Sequence, residues 1–292
     1  MVTSMKTSPT RLPSKKRDEL KQIVSVIRDR CDDVEMIILF GSYARGDYKE
    51  EGDLAPDRKS GHVSDYDILV VTGEKSTATD IERWQKITRE CDAAGLSAPV
   101  RIIAHDVEAL NIELAEGQYF YSDVRKEGCL LYDSENFKLA HKRKLTPKEQ
   151  KRIAEDHFDH WFGRARDFIK TYAYHLDNGM LKLAAFDLHQ CSEACYKAVM
   201  LVFTNYSPNE HLLKLLGSMA AEHDSALNDI FPTETKEECE RFELLDCAYI
   251  GARYHPDYRI GKEDLAYLSN RVGRLLDLTE KICSAKIESF TN

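Results

Sequence analysis

Phe40-Gly41-Ser42-Tyr43-Ala44-Arg45-Gly46 and, further on, Ser64-Asp65-Tyr66-Asp67-Ile68-Leu69-Val70-Val71 decide the fold of the first half of this chain. The first stretch ends an apolar run and reads as a strand entering a glycine-serine turn. The second reads as a strand with carboxylates at alternate positions. Alternate residues of a strand share a face, so Asp65 and Asp67 point one way, while Tyr66 and Ile68 point into the opposite layer. Side-by-side carboxylates repel unless a cation lies between them. A hard divalent ion such as Mg²⁺ accepts one or two carboxylates together with phosphate oxygens. Gly41 lets a phosphate approach the backbone, and Ser42 offers it an amide and a hydroxyl. A phosphate cradle beside metal-binding carboxylates is the apparatus of phosphoryl or nucleotidyl transfer.

Leu20, Ile23, Val24, Ile27 and Cys31 recur at helical spacing and predict a helix over 14–31. Strands are expected over 36–40, 65–71 and 99–104, with a short fourth over 128–132. Ile81, Trp84, Ile87, Cys91 and Ala94 mark another helix, with Asp80 or Thr79 as its cap and Gly95 as its stop. The first part is therefore α+β, built around a small mixed sheet. From about Thr146 the pattern is helical alone. Ala184, Leu188, Cys191, Cys195, Ala198, Val199 and Val202 form one apolar stripe in 181–203. Leu265, Leu268, Val272, Leu275, Thr279 and Ile282 form another, and Pro208, Pro232 and Pro256 fall in the breaks. This is the pattern of an antiparallel helical bundle. The expected organisation is a flexible leader over 1–16, an α+β domain over 17–141, a linker over 142–148 and a helical bundle over 149–288.

A length of 292 residues suits two domains, each able to bury its own core. The net charge of −9, from 41 basic and 50 acidic residues, disfavours nonspecific nucleic-acid binding, which relies on basic surface. No apolar run is long enough to span a bilayer, and the basic, hydroxyl-rich start has no apolar stretch behind it. The expectation is a cytoplasmic protein with no membrane partner. None of the eight cysteines forms a Cys-x-x-Cys pair, and most fall at apolar helix positions, as reduced core thiols do. Cys191 and Cys195 lie one helical turn apart, but two ligands do not make a structural metal site.

The combination of Gly41-Ser42, a spacer and Asp65-x-Asp67 resembles the nucleotidyltransferase superfamily, and the string FGSYARG…SDYDILVV looks like its minimal branch. The spacer is longer than the family usually shows, and its polar middle, 48–61, reads as an inserted surface loop. The second half is similar to HEPN domains (higher eukaryotes and prokaryotes nucleotide-binding). The likeness is carried by the segment from Ala185 to Ala198, the His-Leu-Leu segment at His211 and the corner Ala248-Tyr249-Ile250-Gly251-Ala252-Arg253-Tyr254-His255-Pro256. Nucleotidyltransferase and HEPN units are known as partners, and here they would be fused. The resemblance implies that Asp65 and Asp67 hold Mg²⁺ and serve catalysis, while Gly41 and Ser42 grip a nucleoside triphosphate, expected to be ATP. A nucleoside monophosphate would pass to a hydroxyl on a small molecule or a protein. Arg45 and Asp47 sit just past the cradle, and Arg45 is a further phosphate contact or serves capping or surface pairing. A homodimer through the bundle is left open.

The resemblance also implies a third carboxylate on a neighbouring strand, which would complete a second metal site. The expected strand reads Pro99-Val100-Arg101-Ile102-Ile103-Ala104-His105-Asp106, and the acid's position falls on Arg101. Arginine is permanently cationic and neither binds a metal nor acts as a base. His105, on the same face, is the nearest candidate base; Asp106 falls on the opposite face. Arg101, His105, Arg253, Tyr254 and His255 are candidates for an inter-domain cleft. The ribonuclease branch of HEPN uses an Arg and a His with four to six residues between them on a later helix. Arg253 and His255 are too close for this, so ribonuclease activity is disfavoured. Arg152 and His157 have that spacing but lie at the start of the first helix of the bundle, where the match reads as chance. His189 is expected on the solvated side of its helix, beside Asp187 and Gln190. The alternative to an efficient transferase is a nucleotide-binding regulatory or toxin–antitoxin-like protein with weakened transfer, which the missing acid favours.

Overall fold

The computed structural model describes residue 9 and residues 11–53, 63–208 and 210–290. The chain divides into two compact units, one ending at Lys144 and the other beginning at Leu145. The first unit runs α1 (Ser14–Arg30), β1 (Val34–Phe40), α2 (Gly41–Arg45), β2 (Tyr66–Thr72), α3 (Lys75–Ala78), α4 (Ile81–Ala93), β3 (Val100–Asp106), α5 (Val107–Glu116), α6 (Tyr119–Glu127) and β4 (Cys129–Asp133). The second runs α7 (Pro147–Asp177), α8 (Leu181–Thr204), α9 (Leu213–Ala221), α10 (Lys236–Tyr254) and α11 (Lys262–Ser289).

The four strands lie in the order β3-β2-β1-β4. β1 is antiparallel to β2 and β4, and β2 is parallel to β3, so the sheet is mixed. Both faces are covered, which is why the strands read as continuous apolar runs rather than as alternations. Ile37, Leu39, Tyr66, Ile68 and Val70 pack with Leu20, Ile23 and Ile27 of α1 and Trp84, Ile87 and Cys91 of α4. Met36, Ile38, Leu69 and Val71 pack on Val107, Leu110 and Leu114 of α5 and Val124 of α6. Asp80 caps α4, accepting from the Arg83 amide at 3.0 Å. The sequence pattern did not announce α5 and α6, since neither carries a clean apolar stripe of its own. Asp106, weighed above as an acid, instead caps α5 through the Ala109 amide at 2.9 Å.

The last residues of the expected leader, Ser14 to Lys16, lie in the first turn of α1. Most of the expected surface loop, 48–61, lies outside the described residues. Its stem is described: the Lys49 amide donates to Ser64 Oγ at 2.9 Å, and the Ser64 amide donates to the Lys49 carbonyl at 2.9 Å.

In the second unit, Thr146 and Glu149 form a capping box with Pro147 in the first turn of α7, and Thr235 and Glu238 form another on α10. α8 is the central helix. Seventeen of its residues are buried, including Asp187, His189, Ser192, Glu193 and Lys197. Removing a leucine such as Leu188 from this core would cost about 2–5 kcal/mol. The sequence reading of His189 as solvated is corrected here. α8 is enclosed by α7, α9, α10 and α11, so its polar side is internal too. His189 is 0% exposed, its Nε2 pairs with the His211 carbonyl at 3.1 Å, and burial pushes its pKa down to about 4. Cys191, Cys195 and Cys283 are buried free thiols, whereas Cys239 and Cys247 are exposed.

Candidate active site

The ladder register assembles the site. Phe40 at the end of β1 faces Asp67 across the antiparallel ladder, and Asp67 faces Arg101 across the parallel one. One row across the sheet therefore reads Phe40, Asp67, Arg101. Asp65 lies two residues before Asp67, ahead of the first residue of β2. The intervening Tyr66 is fully buried in the opposite layer, as the alternation requires.

At the end of β1 the chain turns into the short helix α2. Gly41 takes φ +70°, a conformation that favours glycine. A Cβ there would meet Asp67 Oδ2, so the Asp67 carboxylate lies directly against the Gly41 backbone. Both constraints demand glycine, and together they bring the cradle and the acid into contact. Gly46, also left-handed at φ +93°, ends α2 with its amide donating to the Ser42 carbonyl at 2.8 Å.

The Asp67 carboxylate makes no hydrogen bond or ion pair among the described residues. Burial raises its pKa above the ordinary carboxylate value. Arg101 opposes that shift, Asp65 adds to it, and Arg45 opposes it again. Asp65, Asp67, Arg101 and Arg45 thus form one electrostatic cluster. Arg45 Nε donates to Asp47 Oδ2 at 3.1 Å, and its Nη1 lies 3.8 Å from Glu127 Oε2 on α6. Phe40 packs edge-on against Phe120, with ring centroids 5.5 Å apart, which holds α6 over this end of the sheet. On α6, burial raises the pKa of Asp123, Glu127 adds to the rise, and Arg45 opposes it. Sequence reasoning missed Asp123 and Glu127. Their i,i+4 spacing behind the aromatic run Tyr119-Phe120-Tyr121 was the available signal.

The structure does not bring His105 to the carboxylates. It pairs with Val71, four residues beyond the Asp67–Arg101 pair, or about 13 Å along the strand. Its ring packs edge-on against Tyr121, and its Nδ1 lies 3.3 Å from the Asp106 carbonyl. In the second unit, Arg253, Tyr254 and His255 end α10. The Arg253 guanidinium lies over Tyr249, Phe186 and Tyr254 at 4.4–4.9 Å, and its Nε donates to the Tyr249 carbonyl at 2.6 Å. The His255 amide donates to the Gly251 carbonyl, and the His255 carbonyl accepts from Lys182.

Among the described residues, no group of three or more His, Cys, Asp or Glu side chains is placed to hold a metal ion. Asp65 and Asp67 alone are a hard-oxygen pair. That donor set suits one Mg²⁺ only where phosphate oxygens supply the remaining ligands. With Arg101 in the third position of the row, no acid is available there for a second ion.

Residues 21–136 match the polymerase beta nucleotidyltransferase family, and residues 158–282 match the HEPN domain. The chain joins a nucleotidyltransferase domain to a HEPN domain. A protein of Methanocaldococcus jannaschii named as a protein adenylyltransferase is 39% identical over 67 residues, which is 23% of this chain and 52% of that protein. The chain thus spans about half the length of this curated relative. Nucleotide transfer in general is the chemistry these matches support. Among the described residues, no helix is long and apolar enough to cross a membrane.

Proposed function

We propose that the nucleotidyltransferase domain moves AMP from ATP to a hydroxyl of a small molecule or a protein, in the cytoplasm and with Mg²⁺. The observation that carries this reading is the contact between the Gly41 backbone and the Asp67 carboxylate, beside Ser42 and Asp65. The name of the archaeal relative favours adenylyl as the transferred group.

In this reading Asp65 and Asp67 would hold Mg²⁺, which when bound supplies a Lewis acid for the phosphates. The Ser42 amide and hydroxyl donate to phosphate oxygens, while Arg45 and Arg101 neutralise charge on the transferring group. The acceptor oxygen forms a bond to the α-phosphorus. The bond from that phosphorus to the oxygen bridging to the β-phosphorus breaks, pyrophosphate leaves, and the hydroxyl proton passes to solvent. A second reading, nucleotide binding with weakened transfer, is favoured by one observation: Arg101 stands opposite Asp67 where the family's third acid is expected.

ATP labelled at the α-phosphate tests both. Transfer predicts Mg²⁺-dependent label on an acceptor or on the chain and none from γ-labelled ATP. Mg²⁺-dependent binding with no transferred label supports the second reading, and absence of both refutes the two together.

A further inference from the structure

We propose that Lys16 and Glu19, on α1, are positioning residues for the transfer site. They hold Tyr43 and Tyr66, and through them fix the Gly41-Ser42 turn against the Asp65/Asp67 pair. The inference rests on the function proposed above and names the machinery behind that site.

Tyr43 follows Ser42, and Tyr66 lies between the two aspartates. Both rings are buried on the face away from Asp67, 2% and 0% exposed, with centroids 4.3 Å apart. Tyr48 stacks on Tyr43, also at 4.3 Å. The Lys16 ammonium lies 5.5–5.9 Å from all three rings. It bonds Ser97 Oγ at 2.5 Å, pairs with Glu50 at 2.5 Å and lies 3.5 Å from the Tyr43 hydroxyl. The Tyr66 hydroxyl donates to Glu19 Oε2 at 2.6 Å, and Ser97 Oγ donates to the same oxygen at 2.6 Å. Ser97 leads into β3, where the Pro99 carbonyl accepts from the Tyr66 amide at 2.8 Å. One buried network thus reaches the turn, the aspartate strand and the strand that carries Arg101.

Lys16 and Glu19 are 4% and 7% exposed. Burying such charges is expensive, and well-packed apolar residues commonly stabilise a fold as well or better. Bulk stability therefore does not account for them. Directional bonds do something that apolar packing does not, because they fix where the two tyrosines sit. A rotation of the backbone at Tyr66 would swing both carboxylates, and a shift of Tyr43 would move Ser42. None of the network's side chains lies on the carboxylate face, so they act through the backbone and not on the nucleotide.

The test uses the full chain with Tyr66→Phe, which removes only the hydroxyl, with Glu19→Gln, and with Lys16→Met beside the charge-keeping Lys16→Arg. ATP affinity is measured with and without Mg²⁺, and amide hydrogen exchange is followed over 40–46 and 64–68. Tyr66→Phe and Glu19→Gln should lower Mg²⁺-dependent affinity or turnover ~10-fold, since small misplacements of reacting groups are costly. Metal-free ATP binding should change less than about twofold by the same argument. Exchange should quicken over 40–46 and 64–68 but not over 69–72, and Lys16→Arg should recover most of the loss in Lys16→Met. Wild-type exchange and Mg²⁺-dependent affinity in Tyr66→Phe and Glu19→Gln would overturn the proposal. So would uniform loosening of the unit with both affinities falling together. If wild type binds no Mg²⁺·ATP yet the variants loosen only those two segments, the positioning stands and the function reading fails.

Discussion

Asp67, partly buried at one end of the sheet, and Glu193, buried on the central helix of the bundle, are both shielded carboxylates, and their surroundings are opposite. Glu193 on α8 is 5% exposed and accepts from Lys197 at 2.8 Å, His211 at 3.1 Å and Gln190 at 3.1 Å. Burial pushes its pKa up, but the bonds from His211 and Lys197 outweigh that and bring it down to about 2. Asp67 has no such bonds, and burial leaves its pKa raised. A buried acid with both oxygens hydrogen-bonded serves the fold. A shielded acid held against a glycine backbone, with cations nearby that make no bond to it, is poised for something that arrives from outside.

Four measurements would break or sharpen that contrast. The largest effect is expected for Asp65→Asn with Asp67→Asn: Mg²⁺-dependent ATP binding should disappear by isothermal titration while the chain stays folded by circular dichroism. Undiminished binding by the folded double variant would remove Asp67 from the functional side of the comparison.

Next comes Glu193→Ala. It leaves Lys197, 7% exposed, without its carboxylate, and breaking a buried pair in this way costs about 3–5 kcal/mol in denaturant unfolding. The pH dependence has a definite sign. With the folded pKa lowered from 4.5 to about 2, the stability Glu193 contributes is complete above pH 4.5 and is lost as the pH falls toward 2.

Arg101→Asp places an acid opposite Asp67. Metal titration with a non-hydrolysable triphosphate should find one Mg²⁺ in the wild-type nucleotide complex and a second in the variant. Transfer in wild type should be slow by some part of the ~10²–10⁴-fold that base or metal activation supplies. Two ions bound to wild type would mean that another acid completes the site.

The smallest effect carries the opposite sign from Glu193. Asp67→Asn should raise the thermal midpoint at neutral pH, because it removes a charge that the fold disfavours. A raised folded pKa gives a contribution that is present below the ordinary value of 3.8 and lost as the pH rises through the folded value. The variant's advantage should therefore vanish in acid.

What the sequence disclosed followed from short-range physics. Alternation placed Asp65 and Asp67 on one face, and the run into Gly41 marked the turn; both are local properties. The Arg101 position came from the family resemblance, which implies an acid on a neighbouring strand, and the ladder does pair Arg101 with Asp67. α5 and α6 were not legible, since their burial comes from the sheet face above them and not from a stripe of their own. Asp123 and Glu127 left a signal in their i,i+4 spacing, but it points to the site only once α6 is placed beside the carboxylates. His189 was misread because a polar side signals solvent only when the helix lies at a surface, and enclosure of α8 is a tertiary fact. The Lys16–Glu19 network joins residues up to 81 positions apart in sequence, beyond the reach of any local pattern.

The reciprocal bonds between Lys49 and Ser64 make the stem between the two motifs a closed clasp. Spacing between Ser42 and Asp65 is set at that clasp and is uncoupled from how much chain is threaded beyond it. Extending a closed loop costs only about 0.6 kcal/mol for each doubling of its length. The long spacer is therefore compatible with an undistorted site. For an engineer it is an insertion port: a tag or small reporter domain spliced between Asp53 and Val63, clear of the Lys16–Glu50 pair, should leave the carboxylates where they are.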